Sequence, residues 1–108
     1  MSTERADYVV AMSRMLVGLY TMGGSVETSD VSGRPAIEHL VEAYDALTKE
    51  DWPVEHDATW RVMKAASLAA SCFHLGASIE ESEVNGEIVI DILRREVLAL
   101  NAPAIAFD

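Results

Sequence analysis

The chain has 108 residues, half of them hydrophobic and 24% charged, which is the composition of one folded domain with a single modest core. Its formal net charge is −10, from 18 acids and 8 Lys and Arg. Direct nucleic-acid binding needs clustered Lys and Arg, and an anionic membrane surface repels such a chain, so both are expected to be absent. The only cysteine, Cys72, excludes an internal disulfide, and its apolar neighbours predict a buried structural thiol. The start carries no signal-peptide pattern, and the near-apolar run Val9–Met22 is interrupted and too short to span a bilayer. The expected location is cytoplasmic, in a bacterial cell or a phage-infected host.

In chain order, Tyr8, Val9, Met12, Met15, Leu16 and Leu19 recur at helical spacing and predict a first helix over about 3–22. Ser2 or Thr3 can cap its start, and Gly23-Gly24 ends it. Residues 23–34 form one long loop, expected to be surface coil, with an irregular hairpin as the alternative. Pro35 is placed as the first residue of a second helix, whose inward stripe is Ile37, Leu40, Val41, Tyr44 and Leu47. Thr48 to Asp51 resembles a capping box for a short turn, and Trp52-Pro53 breaks the path.

A third helix is predicted over 57–75, capped by Asp57 and stopped by Gly76. It is apolar around most of its circumference, so it is expected to lie at the centre of the domain or in an interface. Ser78-Ile79-Glu80-Glu81 fits a second capping box. The last helix is expected over 87–100, ended by Pro103, with an apolar tail after it. A small hairpin over 82–90 is the alternative there, because Asn85-Gly86 is a strong hairpin turn and Ile88-Val89-Ile90 is β-branched. No internal repeat and no low-complexity segment is apparent. The predicted fold is therefore all-α, one domain over 1–108, a bundle of four main helices with one long loop.

No constellation of residues carries a catalytic or cofactor signature. His39, His56 and His74 have no ligand-spaced partner, and Cys72 and His74, two apart on a helix, point to nearly opposite sides. His74 near a helix end is explained by the helix dipole. Ser67, Ser71 and His74 share a stripe without a nucleophile elbow or an orienting third group. The densest acid run is Glu80, Glu81, Glu83, Glu87 and Asp91. It partly resembles the carboxylate sets of small helical nucleotide pyrophosphohydrolases, which would imply a Mg-dependent enzyme acting on nucleotides. The spacing of the first three acids departs from that pattern, Asn85-Gly86 cuts the helix that should present them, and few bases are at hand to grip phosphates.

Charge distribution favours a different role. Segment 27–57 holds nine acids against Arg34 and Lys49, and segment 78–91 holds five with no base. The expected function is a non-enzymatic acidic domain that docks on and modulates or inhibits a larger protein, a basic nucleic-acid-binding one being the natural partner. In size and acidity the chain is similar to small phage-encoded inhibitors, including anti-CRISPR proteins, and to bacterial immunity proteins. The candidate partner-binding residues are Glu27, Asp30, Glu38, Glu42, Asp45, Trp52, Glu80, Glu81, Glu83 and Glu87; no metal and no cofactor is expected. The second reading is a self-associating accessory subunit, a homodimer built on the apolar third helix.

Overall fold

The computed structural model describes residues 4–101; the expected caps at Ser2 and Thr3, the stop at Pro103 and the tail after it lie outside the described residues. Four helices form the body: α1 (Glu4–Thr21), α2 (Ala36–Asp45), α3 (Ala58–His74) and α4 (Val89–Asn101). Two antiparallel hairpins precede α2 and α4. In the first, β1 (Asp30–Val31) pairs with β2 (Arg34–Pro35); in the second, β3 (Glu83–Val84) pairs with β4 (Glu87–Ile88). The expected helical bundle is therefore present. The coil expected over 25–34 is instead a hairpin, and at 82–90 the hairpin forms and α4 begins two residues later than expected.

Both hairpins turn on two residues with positive φ, Ser32-Gly33 and Asn85-Gly86. That pair of left-handed residues matches the right-handed strand twist and closes the tightest hairpin. Pro35 is the last residue of β2 and the N-cap of α2 rather than its first helical residue. Its missing N–H is harmless on a two-residue edge strand.

The two hairpins are copies, which corrects the expectation that the chain has no repeat. Residues 53 apart correspond, and Gly23/Gly76, Ser25/Ser78, Glu27/Glu80, Ser29/Ser82, Val31/Val84, Gly33/Gly86, Ile37/Ile90 and Leu40/Leu93 are identical. The hydrogen bonds repeat as well. Gly24 N–H donates to Leu19 O and Ala77 N–H to Cys72 O, closing the same helix-ending turn on a left-handed glycine. Ala36 N–H donates to Ser29 O at 2.8 Å and Val89 N–H to Ser82 O at 3.0 Å. Ile37 N–H reaches Val26 O, and Ile90 N–H reaches Ile79 O, both at 2.9 Å. Each half is thus helix, capped turn, hairpin, helix.

The core follows the same register. Val9/Val62, Val26/Ile79, Ala36/Val89, Ile37/Ile90 and Leu40/Leu93 are buried in both halves. Each fully buried Leu or Ile stabilises the fold by about 1.5–3 kcal/mol relative to exposure. The first helices of the halves, α1 and α3, each pack against the other three helices, so α3 takes the central place its apolar circumference predicts. At their equivalent positions Ser13 and Ala66 are both fully buried, and the Ser13 hydroxyl is satisfied by Val9 O one turn back at 2.8 Å. Small residues there let helices approach closely. Cys72 is half-buried against the core rather than enclosed.

Local caps agree with the sequence in part. Asp57 caps α3 through Thr59 N–H at 3.3 Å. Asp51 accepts from the Thr48 N–H at 2.7 Å and from its hydroxyl at 3.1 Å, and the backbone bond first, then the hydroxyl and Arg5, holds the Asp51 carboxyl below its ordinary value. The box expected within Ser78–Glu81 forms only in part: the Ser78 hydroxyl accepts from Glu80 N–H, and the carboxylate that meets Ser78 is Glu27 of the other half, not Glu81.

Gly33 and Gly86 sit at φ 86° and 81°, and no atom lies within 4 Å of an added Cβ. Substitution by alanine there is opposed by backbone conformation alone. Gly33→Ala and Gly86→Ala should each lower stability by about 1–2 kcal/mol. Urea unfolding should place the two losses within about 0.5 kcal/mol of each other if the halves are equivalent.

Candidate functional site

The halves meet at a reciprocal carboxylate clamp. Glu80 accepts from the Ser25 hydroxyl and from the Val26 N–H, both at 2.8 Å. Glu27 accepts from the Ser78 hydroxyl at 2.7 Å and from the Ile79 N–H at 2.9 Å. These are the same two contacts made in opposite directions between equivalent residues. Each serine also caps its own turn: its hydroxyl oxygen accepts from Glu27 N–H at 3.2 Å in the first half and from Glu80 N–H at 3.1 Å in the second. Charge-assisted bonds of this kind are short and roughly twice as strong as neutral ones. Among the described residues, no buried side-chain N or O atom is left without a partner.

The clamp welds the two helix-ending loops, 23–33 and 76–86, into one end of the molecule. Those loops hold five acids and no Lys or Arg. Two of the five, Glu27 and Glu80, are half-buried, and each spends both oxygens on hydrogen bonds inside the fold. Asp30, Glu81 and Glu83 remain exposed. Asp30 and Glu83 are equivalent residues at the first position of each hairpin.

The other candidate residues are scattered and mostly engaged. Glu42 is paired with Arg34 at 3.0 Å; the hydrogen bond and the opposite charge hold the Glu42 carboxyl below its ordinary value and raise that of Arg34. Glu87 is paired with Arg95 at 2.9 Å. These are the same pair with its charges exchanged, since 34 corresponds to 87 and 42 to 95. Asp45 meets His74 at 2.9 Å, so the histidine faces a side chain of α2 beyond its own helix end. Glu38 is half-buried on α2. Trp52 is half-buried against the core, edge-on to Tyr44 with ring centroids 6.1 Å apart. His39 donates its Nε2–H to Val31 O at 2.7 Å and accepts at Nδ1 from the Arg34 guanidinium at 3.4 Å, and so braces the first hairpin.

The acid run 80–91 does not converge. Glu80 faces Ser25, Glu87 faces Arg95, and among the described residues no three His, Cys, Asp or Glu side chains gather as a ligand set. Among those residues, too, no helix is long and apolar enough to cross a membrane.

Two apolar residues at the loop end were not among the sequence candidates. Met22 is 79% exposed and Leu75 is 83% exposed. They are equivalent residues, each placed one position before the left-handed glycine that ends its helix. Their recurrence before Gly23 and Gly76 is a signal the sequence does carry. No known protein family, curated protein or solved structure matches the chain.

The clamp makes a direct stability prediction. Glu27→Ala and Glu80→Ala each strand a serine hydroxyl and a backbone N–H, and each should cost about 2–3 kcal/mol in urea unfolding. The double variant should cost less than the sum, because losing one arm already loosens the junction that the other arm spans. Strict additivity would mean that the arms act independently.

Proposed function

We propose that the chain is a non-enzymatic binding module that presents its loop end to a basic protein partner. The observation that supports this reading is the union of two loops into one braced face. That face offers Asp30, Glu81 and Glu83 as uncompensated acids and Met22 and Leu75 as exposed apolar contacts. A preorganised face loses little freedom on binding, and complementary charge speeds encounter. Exposed large apolar side chains, maintained at equivalent positions where the core does not use them, supply the desolvated contact that charge alone lacks. Modulation or inhibition of the partner follows if the face covers a groove that the partner uses for an anion. The acids already spent on the clamp and on ion pairs take no part.

The test is capture from the native cytosol on the immobilised chain, beside the triple variant Asp30→Lys, Glu81→Lys, Glu83→Lys. A basic protein should be retained by the parent, be released as salt is raised, and be lost from the variant while its helical circular dichroism is unchanged. Retention that ignores both salt and the three substitutions, or no basic protein captured, would defeat the proposal.

A further inference from the structure

The repeat provides an internal control for what the fold requires. Many positions that bury the core or close the turns carry the same or similar residues in both halves, although some core positions differ, such as Leu16 and Ala69. An exposed side chain with no counterpart in the other half is not demanded by the shared architecture. One divergence concentrates on a single groove, a cavity of about 580 Å³ between α3 and α4 and beside the second hairpin. Its apolar lining includes Leu68, Ile92 and the half-buried indole of Trp60. Three of the chain's eight Lys and Arg line it: Arg61, Lys64 and Arg95.

The fold accounts for Arg95, which repeats the Arg34–Glu42 pair with reversed sign and also lies 3.5 Å from Glu96. It does not account for the others. Trp60, Arg61 and Lys64 correspond to Asp7, Tyr8 and Ala11 of the first half, so neither an indole nor a cation is needed there to build the repeat. Among the described residues, neither Arg61 nor Lys64 has an ion-pair partner in a chain where acids outnumber bases 18 to 8. The Lys64 ammonium lies 5.8 Å from the Trp60 ring centroid. The His56 ring also lies 4.9 Å from the indole, tilted by 59°, from a backbone at φ 72° that non-glycine residues seldom adopt.

We propose that this groove binds a small organic anion, with its acid group at Arg61 and Lys64 and its planar or apolar body against Trp60, Leu68 and Ile92. The volume lies in the usual range for small-molecule sites. A polyanion such as a nucleic acid is disfavoured, because Glu87 and Glu96 flank the cations and the whole chain carries −10. This site is separate from the loop end and does not depend on the function proposed for it.

The probe is 8-anilinonaphthalene-1-sulfonate, with the uncharged N-phenyl-1-naphthylamine as control, titrated into the full chain and followed by dye emission and tryptophan quenching. Saturable binding of one sulfonate per chain is expected. It should weaken at least about tenfold in Arg61→Glu/Lys64→Glu, and the neutral dye should bind the parent about tenfold more weakly. Quenching should survive Trp52→Phe and be lost in Trp60→Phe. Both cations are exposed, so the charge-reversed variant should keep its circular dichroism; if it does not, Arg61→Gln/Lys64→Gln takes its place. The proposal is overturned by equal binding of the two dyes, by binding that ignores the cations, or by no saturable binding of the sulfonate below about 1 mM.

Discussion

A carboxylate can accept two hydrogen bonds at once, and the fold rests on using that capacity twice. Glu27 and Glu80 each cross from one half to the other and each gathers one hydroxyl and one backbone N–H. The N–H groups of Val26 and Ile79 belong to turns that immediately follow helices, and the Val26 and Ile79 side chains are fully buried. Backbone donors carried that far inward must find acceptors, since an orphan costs about 1–3 kcal/mol. A neutral acceptor could not serve the hydroxyl and the N–H together as strongly. The consequence is that neither half is complete alone. Each supplies the acceptor for the other, and each leaves the apolar stripe of its first helix to be covered by the other's helices.

The clamp changes how the acidity of the chain is understood. A net charge of −10 reads first as a property of the surface, but two of those charges are internal fasteners and several more are held in pairs. The exchanged pairs Arg34–Glu42 and Glu87–Arg95 are instructive here. The scaffold calls for opposite charges across one strand and the helix that follows it, and it is indifferent to which end is positive. A fold with that tolerance leaves the local potential free to differ from half to half. The loop end carries acids without bases, and the α3–α4 groove carries Arg61, Lys64 and Arg95, on one shared architecture.

What could be read from the sequence was the part that depends on near neighbours. Helical periodicity located all four helices, and Asp57, Gly23 and Gly76 marked caps whose partners lie within one turn. Asn85-Gly86 announced its hairpin, and was outweighed by the helical run that continues through Arg94 and Arg95. Ser32-Gly33 makes the same turn without announcing it, because serine adopts a left-handed backbone less readily than asparagine. The repeat escaped for a related reason. Identity is densest at turn and core positions in 23–40 and 76–93, while the helices before them share burial but few residues: Val9 matches Val62, but Leu16 corresponds to Ala69, and Ser13 to Ala66. The box expected at Ser78 went wrong because the glutamate that meets it is 51 residues away. Residue type shows that Glu27 and Glu80 are charged; only the long-range contact shows that they face inward.

Comparison of the halves separates the demands of folding from everything else, and the two candidate surfaces differ in what that comparison says of them. At the loop end, exposed features recur: Met22 with Leu75, and Asp30 with Glu83. No core contact requires a long apolar side chain at 79% or 83% exposure, so its appearance in both halves is not explained by packing. A face with that near-twofold character suits a partner that touches both loops in the same way. In the groove the opposite holds. Trp60, Arg61 and Lys64 break the correspondence, and in a smaller neighbouring cleft that both halves share, Tyr8 and Ala43 of the first half stand where the second has Arg61 and Glu96. One scaffold element, duplicated, therefore carries a shared exposed face and an unshared recess. The clamp couples the stability of both, since it holds the second hairpin, which borders the recess, against the loop that completes the face.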